Sequence, residues 1–512
     1  MVDTSSTEFS SISDLVRLHA RQRPYRAALL QGSSGYSYGA LDALMDRVAA
    51  SLQRDGVRPG QAIALAGLST PLQAAVFLGA LRAGVVVAPL SASVTPDSFA
   101  SMLQDADAQR LFVDASAAAL VPAAARSRCI SLDDQAPGQA VHDWLVPSGS
   151  QPQPVAVTPE HPFNIIYSSG TTGTPKGIVQ AHGMRWMHIR RGATYGYGPD
   201  GVTLLATPLY SNTTLVVFFP TLGFGGTVLL MAKFNADEYL ALAARHRVTH
   251  AMLVPVQYQR ILARPGFDQH DLSSFVTKFC TSAPFSAALK ADALARWPGE
   301  LVEFYGMTEG GGTCILEARQ HPNKLHTVGR PAEGHDLRLI DDAGVEVAPG
   351  EAGEVVGHSP AMMSGYHGQP AKTREAEWFA PDGKRFIRTG DIGRFDADGF
   401  LVLFDRKKDL VISGGFNVYP SDLEAVLLRH PAVAEAAVVG VPSAEWGETP
   451  VAFVVRGAAR DVSGDALRQW VNDQVGKTQR LSDLRFVDEL PRSAIGKVLK
   501  RELRQAYSPL PA

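Results

Sequence analysis

The sequence is poor in cysteine, with three in 512 residues (Cys129, Cys280 and Cys314) at irregular spacing. That excludes a disulfide framework and a zinc-binding pattern and suits a reducing cytoplasm. It also lacks a long apolar run. The most apolar stretch, residues 74–90, is broken by Arg82 and two glycines, so no membrane span is expected. The opening MVDTSSTEFSSISD has no signal-peptide core, and a cytoplasmic location is expected. Neither sign of charge dominates: 48 Lys and Arg against 51 Asp and Glu leave a net charge of −3, which argues against a nucleic-acid partner held mainly by charge. One basic and aromatic cluster, Arg185, Trp186, Arg190 and Arg191, reads as a solvated helix face. There is no internal repeat. With 45% hydrophobic and 19% charged residues, the composition is that of a soluble globular protein too long for a single core.

What is present is an alternation of short apolar runs and amphipathic segments, the pattern of layered α/β domains. Residues 15–20 read as part of a helix, 62–66 as a buried strand, and 74–82 as a helix leading into a strand at 84–88. Residues 147–159, rich in Pro, Ser and Gln, read as a linker. Strands are expected at 203–206 and 226–231, with a helix at 236–246. Residues 327–404, rich in Gly, Pro and β-branched residues, read as a β-rich subdomain. A compact charged run, Asp405-Arg406-Lys407-Lys408-Asp409, then opens a mixed α+β stretch.

The densest chemical signal is Tyr167-Ser168-Ser169-Gly170-Thr171-Thr172-Gly173-Thr174-Pro175-Lys176-Gly177, which follows an apolar strand-like run. Its glycines allow close backbone approach, its hydroxyls and N–H groups donate to phosphoryl oxygens, and Lys176 adds a point charge. No GK[ST] ends it, so it is not a Walker A loop. Standing alone, it could equally be a flexible surface loop.

It does not stand alone. The loop resembles the phosphate-loop signature of the adenylate-forming superfamily, which includes acyl-CoA and aryl-CoA synthetases, peptide-synthetase adenylation domains and luciferases. The resemblance recurs in order at Tyr305 to Gly310 (YGMTEG), Thr389 to Asp391 (TGD), Asp405 to Asp409 (DRKKD), Ser413 to Glu424 (SGGFNVYPSDLE) and Pro491 to Lys497 (PRSAIGK). It implies a mixed α/β fold. A large N-terminal domain of layered α/β subdomains plus a β-rich subdomain would span residues 1–405, with a hinge at 406–410 pivoting on Lys408. A small mobile α+β domain would follow at 411–512.

The resemblance also implies roles. Ser168, Ser169, Gly170, Thr171, Thr172, Gly173, Thr174 and Lys176 would hold the phosphates of ATP, with Ser282, Ala283, Pro284, Tyr305 and Gly306 around the rest of the nucleotide. Thr308 offers a hydroxyl to a phosphate and Glu309 a hard oxygen to Mg²⁺. Asp391 would accept both ribose hydroxyls, Arg406 would sit beside them, and Lys497 would reach the α-phosphate during adenylation. Gly414 and Gly415 would admit the pantetheine arm of coenzyme A. Trp446 would either stack on its adenine or pack between domains. The segment Lys477 to Leu481 departs from the family's Tyr-Lys-x-Pro stretch, which weakens detailed transfer of CoA contacts.

The acid would lie against Tyr210, Ser211, Asn212, Thr213 and Thr214, then Cys280, Thr281, Ser282 and Ala283, and Gly311, Gly312 and Thr313. Ser211 occupies a slot that often holds histidine in the family. Residues 207–219 contain no Asp or Glu to meet an α-ammonium and no Arg or Lys to meet a second carboxylate. The expectation is therefore a neutral monocarboxylic acid, medium-chain or aryl, joined to CoA through an acyl-adenylate. The alternatives are a stand-alone enzyme loading a carrier protein and a non-catalytic nucleotide-binding relative. The expected partners are the acid, ATP and CoA, with a homodimer left open.

Overall fold

Ala62–Ala66 is buried at every position, which a strand achieves only when both faces of its sheet are covered. In the computed structural model, which describes residues 8–168, 176–413, 416–443, 446–457, 462–476, 479–493 and 496–507, this strand lies within an eight-stranded sheet. It pairs in parallel with Val86–Leu90 and Leu111–Val113. At the other side of Val86–Leu90 comes Pro162–Ser168, which turns back antiparallel to Lys176–Ala181, with Ser168 opposite Lys176. Residues 169–175 and the side chain of Ser168 lie outside the described residues.

A nine-stranded sheet carries the second half of the large fold. Its parallel centre consists of Thr227–Leu230, Val202–Leu205, His250–Leu253, Thr277–Cys280 and Glu300–Gly306. Thr313–Glu317 returns antiparallel to Glu300–Gly306. Between the sheets runs a layer of helices with little solvent exposure. Helix Pro71–Arg82 starts at Thr70, whose hydroxyl accepts the Gln73 N–H, and it is buried all round. Helix Asn212–Gly223 is nearly so, despite carrying Pro220. Phe77, Phe163 and Phe219 interlock at centroid separations of 5.0 to 6.2 Å and join the layers into one core. Among the described residues no helix is long and apolar enough to cross a membrane.

The chain divides into two compact units, residues 1–336 with 357–387, and residues 337–356 with 388–512. The charged run at 405–409 therefore falls inside the second unit, because strands such as Leu401–Arg406 group with the C-terminal residues. The second unit contains an antiparallel sheet of Phe416–Val418, Val411–Ser413, Gly447–Arg456 and Val433–Ser443, to which Asp483–Val487 adds in parallel. Helices Pro420–Leu427 and Gly464–Asn472 bury Leu423, Leu427, Leu467 and Val471 against it, an α+β arrangement.

Candidate active site

Glu300–Gly306 ends where Met307, Thr308 and Glu309 turn away from the sheet. The turn is tight. Gly310 has φ +72°, and a Cβ there would lie 2.0 Å from the Ala361 carbonyl oxygen. Glu309 accepts a 2.9 Å hydrogen bond from the Tyr366 hydroxyl. Lys176 Nζ lies 5.0 Å from the centroid of the same ring. Tyr366 thus carries the lysine of the phosphate hairpin on its face and the candidate metal carboxylate at its tip. Gln180 donates to the Thr308 carbonyl at 2.7 Å and fixes the turn from the neighbouring strand. Among the described residues no group of three or more His, Cys, Asp or Glu could hold a metal ion. A single hard carboxylate beside a lysine fits a Mg²⁺ that takes its remaining ligands from phosphates and water.

Next to Thr308 opens a cavity of about 140 Å³. Strand alternation sets part of its wall: Phe304 and Gly306 line it, while Tyr305 between them points to the other face of the sheet. Phe279 stacks on Phe304 at 5.4 Å, and Tyr195 meets Phe304 edge-on at 5.8 Å. Asn212, Thr213, Thr281, Ser282 and Thr313 also line the cavity. Ser282 holds φ +81°, a conformation uncommon for a side-chain-bearing residue, and its hydroxyl is 2.6 Å from that of Thr213. Ala283 and Pro284 follow it in the same loop.

Several expected residues lie off the wall. Ser211 is buried at the start of helix Asn212–Gly223, and the Tyr210 hydroxyl is pushed up by burial. Gly311 packs against Ile387 and the Gly357 carbonyl, with Gly312 beside it. Cys280 is buried in its strand.

The basic cluster of helix His182–Arg191 is not a solvated face. Arg185 is 1% exposed and Trp186 6% exposed, because the helix packs between the hairpin strands and helix Asn212–Gly223. Arg185 bonds Asn164 Oδ1 at 3.0 Å and Asn212 Oδ1 at 2.9 Å, and it also bonds Gln180 Oε1. Burial lowers its pKa to about 9. The same helix delivers His188 and Arg191 to the cavity, and His335 joins them. Residues 207–219 do lack Arg and Lys, but the exclusion of a second carboxylate drawn from that window fails because the cation arrives from another helix. Among the described residues no Asp or Glu lines the cavity, which extends the argument against an α-ammonium beyond residues 207–219.

In the second unit, Arg406 Nε lies 3.0 Å from Asp391 Oδ1. The Asp391 N–H donates to the Thr389 hydroxyl at 3.0 Å. The Ser493 N–H donates to the Lys497 carbonyl at 2.8 Å. Burial, then Arg406 and Lys408, push the Lys497 ammonium down to about 8 against the opposing pull of Asp391 and Asp409. Lys408 lies exposed in the turn Lys407–Asp409. Trp446 is 43% exposed between the two long strands of the small sheet. Gly414 and Gly415 lie outside the described residues.

Tyr366, Gln180, Arg185, His188, Arg191 and His335 escape sequence reasoning. Tyr366 is 57 residues from Glu309, and Arg191 is 144 from His335, so no local spacing links them. The missed signal was in the helix itself: Met184, Trp186 and Ile189 among the basic residues leave no consistently polar face.

A family model described as AMP-binding enzyme matches residues 16–367, and one described as AMP-binding enzyme C-terminal domain matches residues 422–497. A feruloyl-CoA synthase from an Amycolatopsis species is 33% identical over 491 residues, covering 95% of this chain and 97% of that protein. The fatty acid–[acyl-carrier-protein] ligase ScoC of Streptomyces coeruleorubidus is 32% identical over 515 residues, covering 98% and 97%. Among solved structures, ATP-bound MatB from Rhodopseudomonas palustris superposes with a TM-score of 0.86 at 29% identity, covering 96% of this chain and 99% of that one.

Proposed function

The chain belongs to the AMP-binding enzyme family of adenylate-forming acid–thiol ligases, and from that premise we propose that it joins an aryl carboxylic acid to coenzyme A at the expense of ATP. The observation that carries the reading is a cavity of about 140 Å³ opening at Thr308 and walled by Phe279, Phe304, Tyr195 and Tyr197. A cavity of roughly 150 Å³ holds one benzene ring, so a ring-sized tail fits better than an extended medium chain. The requirement that the acid be neutral is not retained, since Arg191 lines the wall.

In the first step a carboxylate oxygen attacks the α-phosphorus of ATP, and the bond to pyrophosphate breaks. Thr308 and Lys176 hold the phosphates, Asp391 and Arg406 take the ribose, and Lys497 offsets the charge growing on the α-phosphate. Mg²⁺, held by Glu309, would neutralise phosphate oxygens. In the second step the CoA thiol gives up its proton and attacks the acyl carbon, expelling AMP. Exposed Trp446 is available to stack on the CoA adenine.

The test is pyrophosphate exchange. With ATP, Mg²⁺ and an accepted aryl acid, labelled pyrophosphate enters ATP without CoA. No exchange across a broad panel of acids would overturn the reading. Similarity to ScoC favours one further possibility, a carrier-protein thiol as acceptor. Faster acyl transfer to a phosphopantetheinyl carrier protein than to CoA would decide for it.

A further inference from the structure

Among the described residues one arginine and two histidines line the acid cavity, and no Asp or Glu does. Arg191 closes helix His182–Arg191 and lines the cavity, and its Nη2 lies 3.3 Å from Nε2 of His335 on the same wall. Among the described residues no carboxylate pairs with this guanidinium, and its polar neighbour in the wall is the imidazole. Burial followed by the Arg191 charge lowers the pKa of His335 to about 4, so the imidazole is neutral near pH 7 and accepts from the arginine. His188, also on the wall, is pushed well down by burial and then by Arg185 and Arg191.

One formal positive charge therefore faces the substrate without an internal counter-ion. The carbonyl end of its own helix offers partial compensation, but a helix terminus is weak beside the cost of shielding a guanidinium from water. A planar fork of donors left open in a small aromatic cavity matches a carboxylate, which can accept two parallel hydrogen bonds.

We propose that the Arg191–His335 pair is the specificity element of this cavity, and that the favoured substrate is an aryl acid bearing a second anionic oxygen group, a ring carboxylate above all. The first carboxylate would be activated beside Thr308 and the second held by Arg191. This rests on the reading of the cavity as the acid site.

The experiment measures kcat/KM by pyrophosphate exchange for benzoate, phenylacetate and cinnamate, each bare and with a second carboxylate at the ortho, meta or para position. The wild-type protein is expected to favour at least one diacid over its parent by about tenfold or more. Arg191→Gln should cost that diacid at least about tenfold more than it costs the parent acid, mainly in KM. Arg191→Lys should recover part of the loss. Should Arg191→Gln not fold, His335→Leu is expected to weaken the same preference. The diacid should also raise the Tm of the wild-type protein more than the parent acid does. A wild-type preference for the parents, or a diacid preference that survives Arg191→Gln, would overturn the proposal while leaving the ligase reading intact. Exchange with no acid at all would sink that reading and this proposal with it.

Discussion

Two buried arginines sit in the same large fold and are treated in opposite ways. Arg82, at the end of helix Pro71–Arg82, is 7% exposed and is held by Asp42 at 2.5 Å and Asp46 at 2.7 Å, with Ser13 on its Nε. Arg185 is more deeply buried and meets no carboxylate among the described residues: its partners are the amides of Asn164, Gln180 and Asn212 and, at 3.5 Å, Nδ1 of His188, above the rings of Phe163 and Phe219. The first is a structural cation, neutralised where the helices cross. The second belongs to a region where cations are kept without carboxylates: Arg185 behind the cavity and Arg191 on its wall. The difference teaches which charges the fold needs and which it holds open for an anionic substrate.

The largest effect expected from breaking that contrast is in stability. Arg82→Met leaves Asp42 and Asp46 to share Arg17, at 3.7 and 2.7 Å, which should cost about 3 kcal/mol. Arg185→Met strands no carboxylate. Asn164 Nδ2 still bonds Gln180 Oε1 at 3.0 Å, and Gln180 Nε2 still reaches Asn212 Oδ1 at 3.3 Å. Its cost should stay below about 2 kcal/mol. Urea unfolding of both variants checks the order, and equal losses would erase the distinction. Arg185→Met should instead raise the KM for the acid, since Asn212 lies on the cavity wall and loses a donor.

Lys497 extends the comparison to the second unit. Its ammonium is pushed down to about 8 by burial and by neighbouring cations, so it is held ready for a negative group. Lys497→Ala should slow adenylate formation by roughly 100-fold or more, about 2.7 kcal/mol, and spare thioester formation from supplied acyl-adenylate. The pH dependence has a definite sign. The lysine is charged below about 8 and neutral above, so kcat/KM for adenylation by the free enzyme should fall as pH rises through that value. Lys497→Arg, charged throughout, should remove the fall. Equal loss in both half-reactions of Lys497→Ala would point to misfolding instead.

These open cations were unevenly legible in the sequence. Ala62–Ala66 could be read because five apolar residues in a row suit a strand covered on both faces, and the structure has that strand at the same residues. Thr308 and Glu309 sit in one short motif, and they also sit together in space. Helix Asn212–Gly223 was not read as a helix. It is apolar all round, rich in β-branched residues and interrupted by Pro220, so neither periodicity nor propensity marks it. Without that helix, the wall opposite it could not be placed. Arg191, His335 and Tyr366 reach the site only through the packing of distant segments, which no spacing rule encodes.

Lys408 supplies the opposite limit, a cation whose charge is only a minor contribution to the Lys497 shift, behind burial and Arg406. It is exposed, while the carboxylates flanking it are engaged: Asp405 accepts the Ser421 N–H at 2.8 Å, and Asp409 pairs with Arg504 at 2.8 Å. If, as the family resemblance implies, the two half-reactions draw on Lys497 and on the Gly414-Gly415 segment in turn, its burden would fall on the backbone. A pivot concentrates that rotation in a few φ and ψ angles. The turn Lys407–Asp409 is a 3₁₀ turn, whose φ of about −60° is close to the angle proline imposes. Lys408→Pro should therefore tolerate this conformation and resist leaving it. We expect Lys408→Ala to leave both half-reactions within about twofold. Lys408→Pro should keep adenylate formation and slow thioester formation about tenfold, or roughly 1.4 kcal/mol. Single-turnover assays of each half-reaction separate the two. A wild-type thioester rate in Lys408→Pro would place the pivot elsewhere, and a tenfold loss in Lys408→Ala would return the role to the charge.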